Sequence, residues 1–66
     1  MEEIDIWRSA NLLIAEHGEN AGVEAANRAV ELLERGDNRG ADAWQRIIVA
    51  IDTLMRGGAL PDEARH

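Results

Sequence analysis

Residues 37–56 decide the fold, and they read DNRGADAWQRIIVAIDTLMR. Apolar residues recur in this stretch at three- and four-residue spacing, which predicts an α-helix with one broad apolar face. The apolar positions, close to half of the helix circumference, are Ala43, Trp44, Ile47, Ile48, Ala50, Ile51, Leu54 and Met55. Asp37 suits the N-terminal cap because its carboxylate can accept from a free backbone N–H. We predict a helix over residues 38–56.

Glycine marks the ends of two further helices. Gly18 and Gly36 each follow a stretch of helical apolar spacing, and glycine readily takes the left-handed conformation that ends a helix. The pattern predicts helices over residues 3–16 and 21–35, with Asn20 as the N-terminal cap of the second. Both connections are only a few residues long, so consecutive helices should lie side by side and antiparallel. We therefore predict an all-α fold, a compact three-helix bundle.

The chain should form one domain over residues 1–56, followed by a flexible C-terminal tail over residues 57–66. With 66 residues the chain is too short for two hydrophobic cores. The tail cannot extend the third helix because it begins with two glycines and contains Pro61. Within the domain we expect the third helix to contact both others, with Trp44 in the core.

The second helix carries two neighbouring rows of apolar side chains. The rows consist of Val23, Ala26, Val30 and Leu33, and of Ala25, Ala29 and Leu32. Because this stripe is rich in alanine, it permits close approach of a neighbouring helix. Opposite charges one turn apart are expected to pair on the solvated faces of the second and third helices. The pairs are Glu24–Arg28, Glu31–Arg35, Asp42–Arg46 and Asp52–Arg56.

Composition restricts the functions open to the chain. The formal net charge of −6 disfavours binding to nucleic acid or to anionic membranes and favours a basic partner. The absence of cysteine excludes disulfides and thiolate metal sites, which favours a cytoplasmic protein. The absence of lysine excludes Schiff-base chemistry. Because the N-terminus is acidic and the apolar runs are short, we expect a soluble protein without a targeting or membrane-spanning segment.

No motif predicts catalysis, cofactor binding or metal binding. Ser9 has neither a histidine at helical spacing nor a glycine-flanked elbow around it. His17 has only flexible carboxylates nearby and lacks the number of ligands that zinc requires, so we expect it at a helix end. Residues 36–40 resemble a phosphate or calcium loop superficially, but no strand precedes them and they hold too few oxygen ligands. We therefore expect a helix-to-helix turn there and no enzyme activity.

A pattern over most of the chain resembles that of a known group of proteins. The pattern comprises Asp5-x-Trp7, Ala10, Leu13-Ile14, His17-Gly18, Ala25-Ala26, Arg28-Ala29, Leu32-Leu33, Gly36-Asp37, Gly40, Trp44, Arg46-Ile47 and Ala50. It resembles a group of short alphaproteobacterial proteins that have no assigned function. The resemblance implies an all-helical bacterial protein of the cytoplasm and supports the helix boundaries, and it implies no mechanism.

Packing surfaces are the main functional features that the sequence offers, and they predict a small non-catalytic protein–protein interaction module. Leu12 and Val49 form the candidate interface because each is apolar and lies on the polar side of its helix. Association of two copies would bury apolar surface that a small monomer leaves exposed to solvent, so a two-fold homodimer is the expected assembly. The alternative is a regulator that acts on DNA or on a basic DNA-binding partner by acidic mimicry of phosphate.

Overall fold

The computed structural model describes residues 2–57. Helices make up nearly all of this part of the chain, and no strand occurs in it. The helical elements in chain order are α1 (Glu3–His17), a 3-10 turn (Gly18–Asn20), α2 (Ala21–Glu34) and α3 (Asn38–Met55). The all-α prediction is confirmed, whereas the predicted flexible tail lies, except for Gly57, outside the described residues.

The first two predicted helices form one long helical stretch with a bend. Helical residues run without an intervening loop over residues 3–34, because the connection is a 3-10 turn. The bend falls at Gly18, whose φ of 57° and ψ of −126° lie far from helical values and are readily taken only by glycine. The predicted capping by Asn20 is wrong: its φ of −87° and ψ of 0° are not the extended angles that a cap needs, and its side chain makes no cap hydrogen bond.

The turn between α2 and α3 follows the prediction. Gly36 has a φ of 81°, and its N–H donates to the Leu33 carbonyl at 3.0 Å. The Asp37 N–H donates to the Leu32 carbonyl at 2.8 Å, which completes a Schellman motif at the end of α2. The Asp37 side chain then caps α3, since its Oδ1 accepts from the Gly40 N–H at 2.9 Å. Because α2 ends and α3 begins at this compact turn, the two helices run side by side in opposite directions.

The core is built largely from alanine. Six of the nine buried apolar residues in the described part of the chain are alanines, and the nine are Ile6, Ala10, Ala21, Ala25, Ala29, Ala41, Ile47, Ala50 and Ile51. All three α-helices contribute to one cluster of these residues, and α3 packs against both α1 and α2 as expected. Small side chains let the helix backbones approach closely, so the alanine row of α2 is the one that is buried.

Two predicted core features need correction. The α2 row of Val23, Ala26, Val30 and Leu33 is largely exposed: Val23, Val30 and Leu33 are 59%, 52% and 52% exposed, and only Ala26 is partly buried. Apolar residues cover about 200° of α2, which is a wider arc than the packing against its neighbours covers. Trp44 is only partly buried and packs at the edge of the core cluster, because it lies on the flank of α3 beside the centre formed by Ile47.

The predicted ion pairs form on α3 and not on α2. The Arg46 Nε lies 3.7 Å from the Asp42 Oδ2, and the Arg56 Nε lies 3.1 Å from the Asp52 Oδ1. Within the described residues, the pairs expected on α2, Glu24–Arg28 and Glu31–Arg35, are not in contact. All these side chains are on the surface of single helices, where holding a long side chain in one rotamer offsets most of the gain from pairing.

Candidate functional site

Both candidate interface residues are exposed, as the sequence predicts, but they lie on different surfaces. Leu12 on α1 is 60% exposed, and Val49 on α3 is 65% exposed. Each follows a buried residue by two positions, Ala10 and Ile47 respectively, and is therefore rotated by about 200° from it around the helix. Both side chains consequently point away from the core.

Val49 lies in an open groove between the first half of α1 and α3, which we call the α1–α3 groove. Ile6, Trp7 and Ala50 form its apolar wall together with Val49, and the groove has a volume of about 380 Å³. Leu12 does not line it. The structure thus places Val49 beside other apolar side chains and leaves Leu12 on a separate part of α1.

The edges of the α1–α3 groove carry charges of both signs. Glu3 lies at the N-terminal end of α1, and Arg46 lies one turn before Val49 on α3. Arg46 and Asp42 also line a smaller hollow beside Ile6, where the two side chains pair. The edge of the groove therefore holds acidic and basic side chains together, with Arg46 engaged by Asp42.

A second groove, the α2–α3 groove, was not predicted from the sequence. It lies between the start of α2 and the end of α3, and its volume is about 410 Å³. Its apolar lining is Val23, Ile48, Ile51 and Met55. Glu19 and Asp52 lie at its edges. The sequence signal that could have revealed it is the 200° apolar arc of α2, which is too wide for one buried face.

Within residues 2–57, the side chains considered for catalysis make no hydrogen bond or ion pair. Ser9 is partly buried on α1 and makes no side-chain hydrogen bond among the described residues. His17 is exposed in the last turn of α1, the position that the sequence predicts. In residues 2–57, no three histidine, aspartate or glutamate side chains lie together in an arrangement that could hold a metal ion.

The loop that superficially resembled a phosphate or calcium loop is a helix-to-helix turn, as predicted. Its carboxylate, Asp37, accepts a hydrogen bond from the Gly40 N–H of the next helix.

None of the helices in the described part of the chain is both long enough and apolar enough to cross a membrane.

No protein-family model, curated protein or solved structure matches the chain. The two grooves and the charges at their edges are the structural features that bear on function.

Proposed function

We propose that the chain is a small protein–protein interaction module of the bacterial cytoplasm, without catalytic activity of its own. The observation that carries this proposal is the distribution of large apolar side chains. Among residues 2–57, seven of them are 46% to 65% exposed, namely Ile4, Leu12, Val23, Val30, Leu33, Val49 and Met55. Single exposed apolar side chains are common on protein surfaces, but Val49, Val23 and Met55 line grooves together with other apolar side chains, and such contiguous patches are typical of binding surfaces. The resemblance to short alphaproteobacterial proteins supports the cytoplasmic setting.

The fold that we propose for this module is a three-helix bundle of α1, α2 and α3. Its support is the single core cluster, to which Ala10 of α1, Ala25 of α2 and Ile47 of α3 all contribute. The break at Gly18 allows the long first stretch to fold as two bundle helices. Such a bundle leaves the outer sides of its helices available for partners.

The partner favoured first is a second copy of the chain, bound through Val49 and the α1–α3 groove. In a two-fold dimer the same patch meets itself, so Glu3 of one copy can approach Arg46 of the other. The apolar wall of the groove would be removed from water at the same time, and each Å² of apolar surface buried in this way stabilises the dimer by roughly 25 cal/mol. Leu12 belongs to this interface only if the dimer extends along the exposed side of α1.

Size-exclusion chromatography with light scattering tests this assembly. The native protein should have twice its monomer mass of 7.3 kDa, and Val49→Lys should be monomeric because it places like charges against each other across the two-fold axis. Leu12→Glu should weaken the dimer if Leu12 takes part. Asn27→Lys is the matched control: it changes an exposed residue of α2, away from the groove, and should leave the dimer intact. A native monomer at high micromolar concentration, or a dimer indifferent to both Leu12→Glu and Val49→Lys, would refute the interface.

The acidic character of the chain supports a second candidate, a regulator that acts on a basic DNA-binding protein. With a net charge of −6, the surface repels the phosphate backbone and attracts lysine and arginine. A direct action on DNA is the less favoured form of this candidate for the same reason.

A further inference from the structure

One side of the molecule presents a long apolar surface that no described element covers. On α2 it holds the row that the core leaves out, Val23, Val30 and Leu33. On α3 it holds Trp44, Ile48 and Met55, which share one flank of that helix by their spacing. We call this surface the α2–α3 face. It includes the α2–α3 groove, which Val23 and Met55 both line.

The dimensions of the α2–α3 face suit a helix. The α2 row runs over residues 23–33 and the α3 row over residues 44–55, so each is about 15 Å long, or about three helical turns. Because α2 and α3 are antiparallel neighbours, the two rows run alongside each other, and Val23, Ile48 and Met55 of these rows line the α2–α3 groove. An amphipathic helix binds an apolar groove with the side chains at every third and fourth position.

The charges around the α2–α3 face are acidic. Glu19 and Asp52 line its groove, and Glu34 lies one turn beyond Val30 on the same side of α2. Asp52 is partly neutralised by Arg56, while Glu19 and Glu34 make no ion pair within the described residues. The α1–α3 groove differs in that an arginine, Arg46, is among its lining residues, and this arginine pairs with Asp42.

The acidic rim decides which occupant fits. A second copy of the chain would bring its own carboxylates, and a net charge of −6, against Glu19 and Glu34. Like charges that meet at an interface lower affinity and exclude the wrong partner. A helix with lysine or arginine on both sides of an apolar stripe places opposite charges at the same positions.

We propose that the α2–α3 face binds an amphipathic basic helix of another protein, with the apolar stripe of that helix between α2 and α3 and its basic residues against Glu19 and Glu34. This inference rests on the proposed function as an interaction module and names the chemistry of its partner. It leaves the α1–α3 groove free, so one molecule can pair with its copy and hold a basic helix at the same time.

A pair of synthetic peptides tests the proposal. The probe is an amphipathic peptide of about 14 residues, four helical turns, with leucine along one face and lysine on the other. The comparison peptide has the same leucines and glutamate in place of lysine. Two-dimensional NMR of the isotope-labelled protein should show shifts of Val23, Val30 and Met55 with the lysine peptide at micromolar affinity. The glutamate peptide should bind about tenfold more weakly or not at all.

Two matched variants separate a specific site from general attraction to an acidic protein. Val30→Lys puts a positive charge in the middle of the α2–α3 face and should lower the affinity for the lysine peptide about tenfold. Ala15→Lys makes the same change of charge at an exposed position of α1 and should have little effect. Both positions are on the surface, so both variants should fold, and circular dichroism verifies this.

Several outcomes would overturn the proposal. These are no binding, equal binding of the two peptides, equal effects of Val30→Lys and Ala15→Lys, or shifts centred on the α1–α3 groove. A dimer that Val30→Lys disrupts would show that a second copy occupies the face instead. Failure of this proposal does not affect the light-scattering test of the Val49 interface, so the two proposals can fail separately.

Discussion

Truncation of Ile47 to alanine should remove a large share of the stability of the fold. Ile47 is 1% exposed and is the largest fully buried side chain among the described residues. The substitution deletes three carbon atoms, at about 0.8 kcal/mol each, or about 2.5 kcal/mol in transfer free energy. The cavity left behind brings the expected range to about 2–5 kcal/mol. A chain of 66 residues has roughly 3–10 kcal/mol in total.

Val49→Ala is the matched control, because Val49 is also β-branched, lies two residues along the same helix, and is 65% exposed. It should change the free energy of unfolding by about 0.5 kcal/mol or less, since alanine also has the better helix propensity. Urea unfolding followed by circular dichroism measures the free energy of unfolding of both variants, at a protein concentration low enough to keep the protein monomeric. Ile47→Ala should also lower the melting temperature by about 10 °C or more. Equal losses in the two variants, or a loss of less than about 1 kcal/mol for Ile47→Ala, would refute this description of the core.

Three further predictions concern a partly buried tryptophan, a helix cap and nucleic acid. Trp44→Ala should cost less than the 3–5 kcal/mol of a fully buried aromatic, about 2–3 kcal/mol in urea unfolding, and an unchanged melting temperature would place Trp44 on the surface. Asp37→Ala should cost about 1 kcal/mol through loss of the bond to the Gly40 N–H, and Asp37→Asn should restore most of it in thermal unfolding. Duplex DNA should not bind at physiological salt because the net charge is −6, and a salt-sensitive gel shift would contradict this.

The helices could be predicted from the sequence because their ends are determined locally. The predicted helices over 3–16, 21–35 and 38–56 each end within one residue of a helix in the structure. Gly36 and Asp37 determine the turn between α2 and α3 by their own backbone and side-chain hydrogen bonds, with no help from distant residues. The 3-10 turn after Gly18 was missed because nothing in its residues distinguishes it from a short loop.

The choice of buried row could not be predicted, because it depends on packing between helices. The spacing of apolar residues shows that α2 has two rows, and both satisfy the same periodicity. Which row faces α3 depends on how closely the two backbones approach, and the alanines Ala25 and Ala29 permit a closer approach than Val30 or Leu33. The exposure of Leu12 and Val49 was predictable, whereas the groove around Val49 depends on where α1 crosses α3.

The same alanine core explains why large apolar side chains remain on the surface of this protein. Alanines at positions such as 21, 25 and 29 give the core its close packing but bury little apolar area per residue. Large side chains such as Val23, Val30 and Leu33 therefore stay outside the core, where the chain keeps them exposed despite their cost in solubility. Acidic residues beside Val23 and Val30 offset part of that cost by repelling other copies of the protein. A basic helix would cover the apolar row of α2 and would pair with the carboxylates beside it. The composition of the core is in this way linked to the partner that we propose.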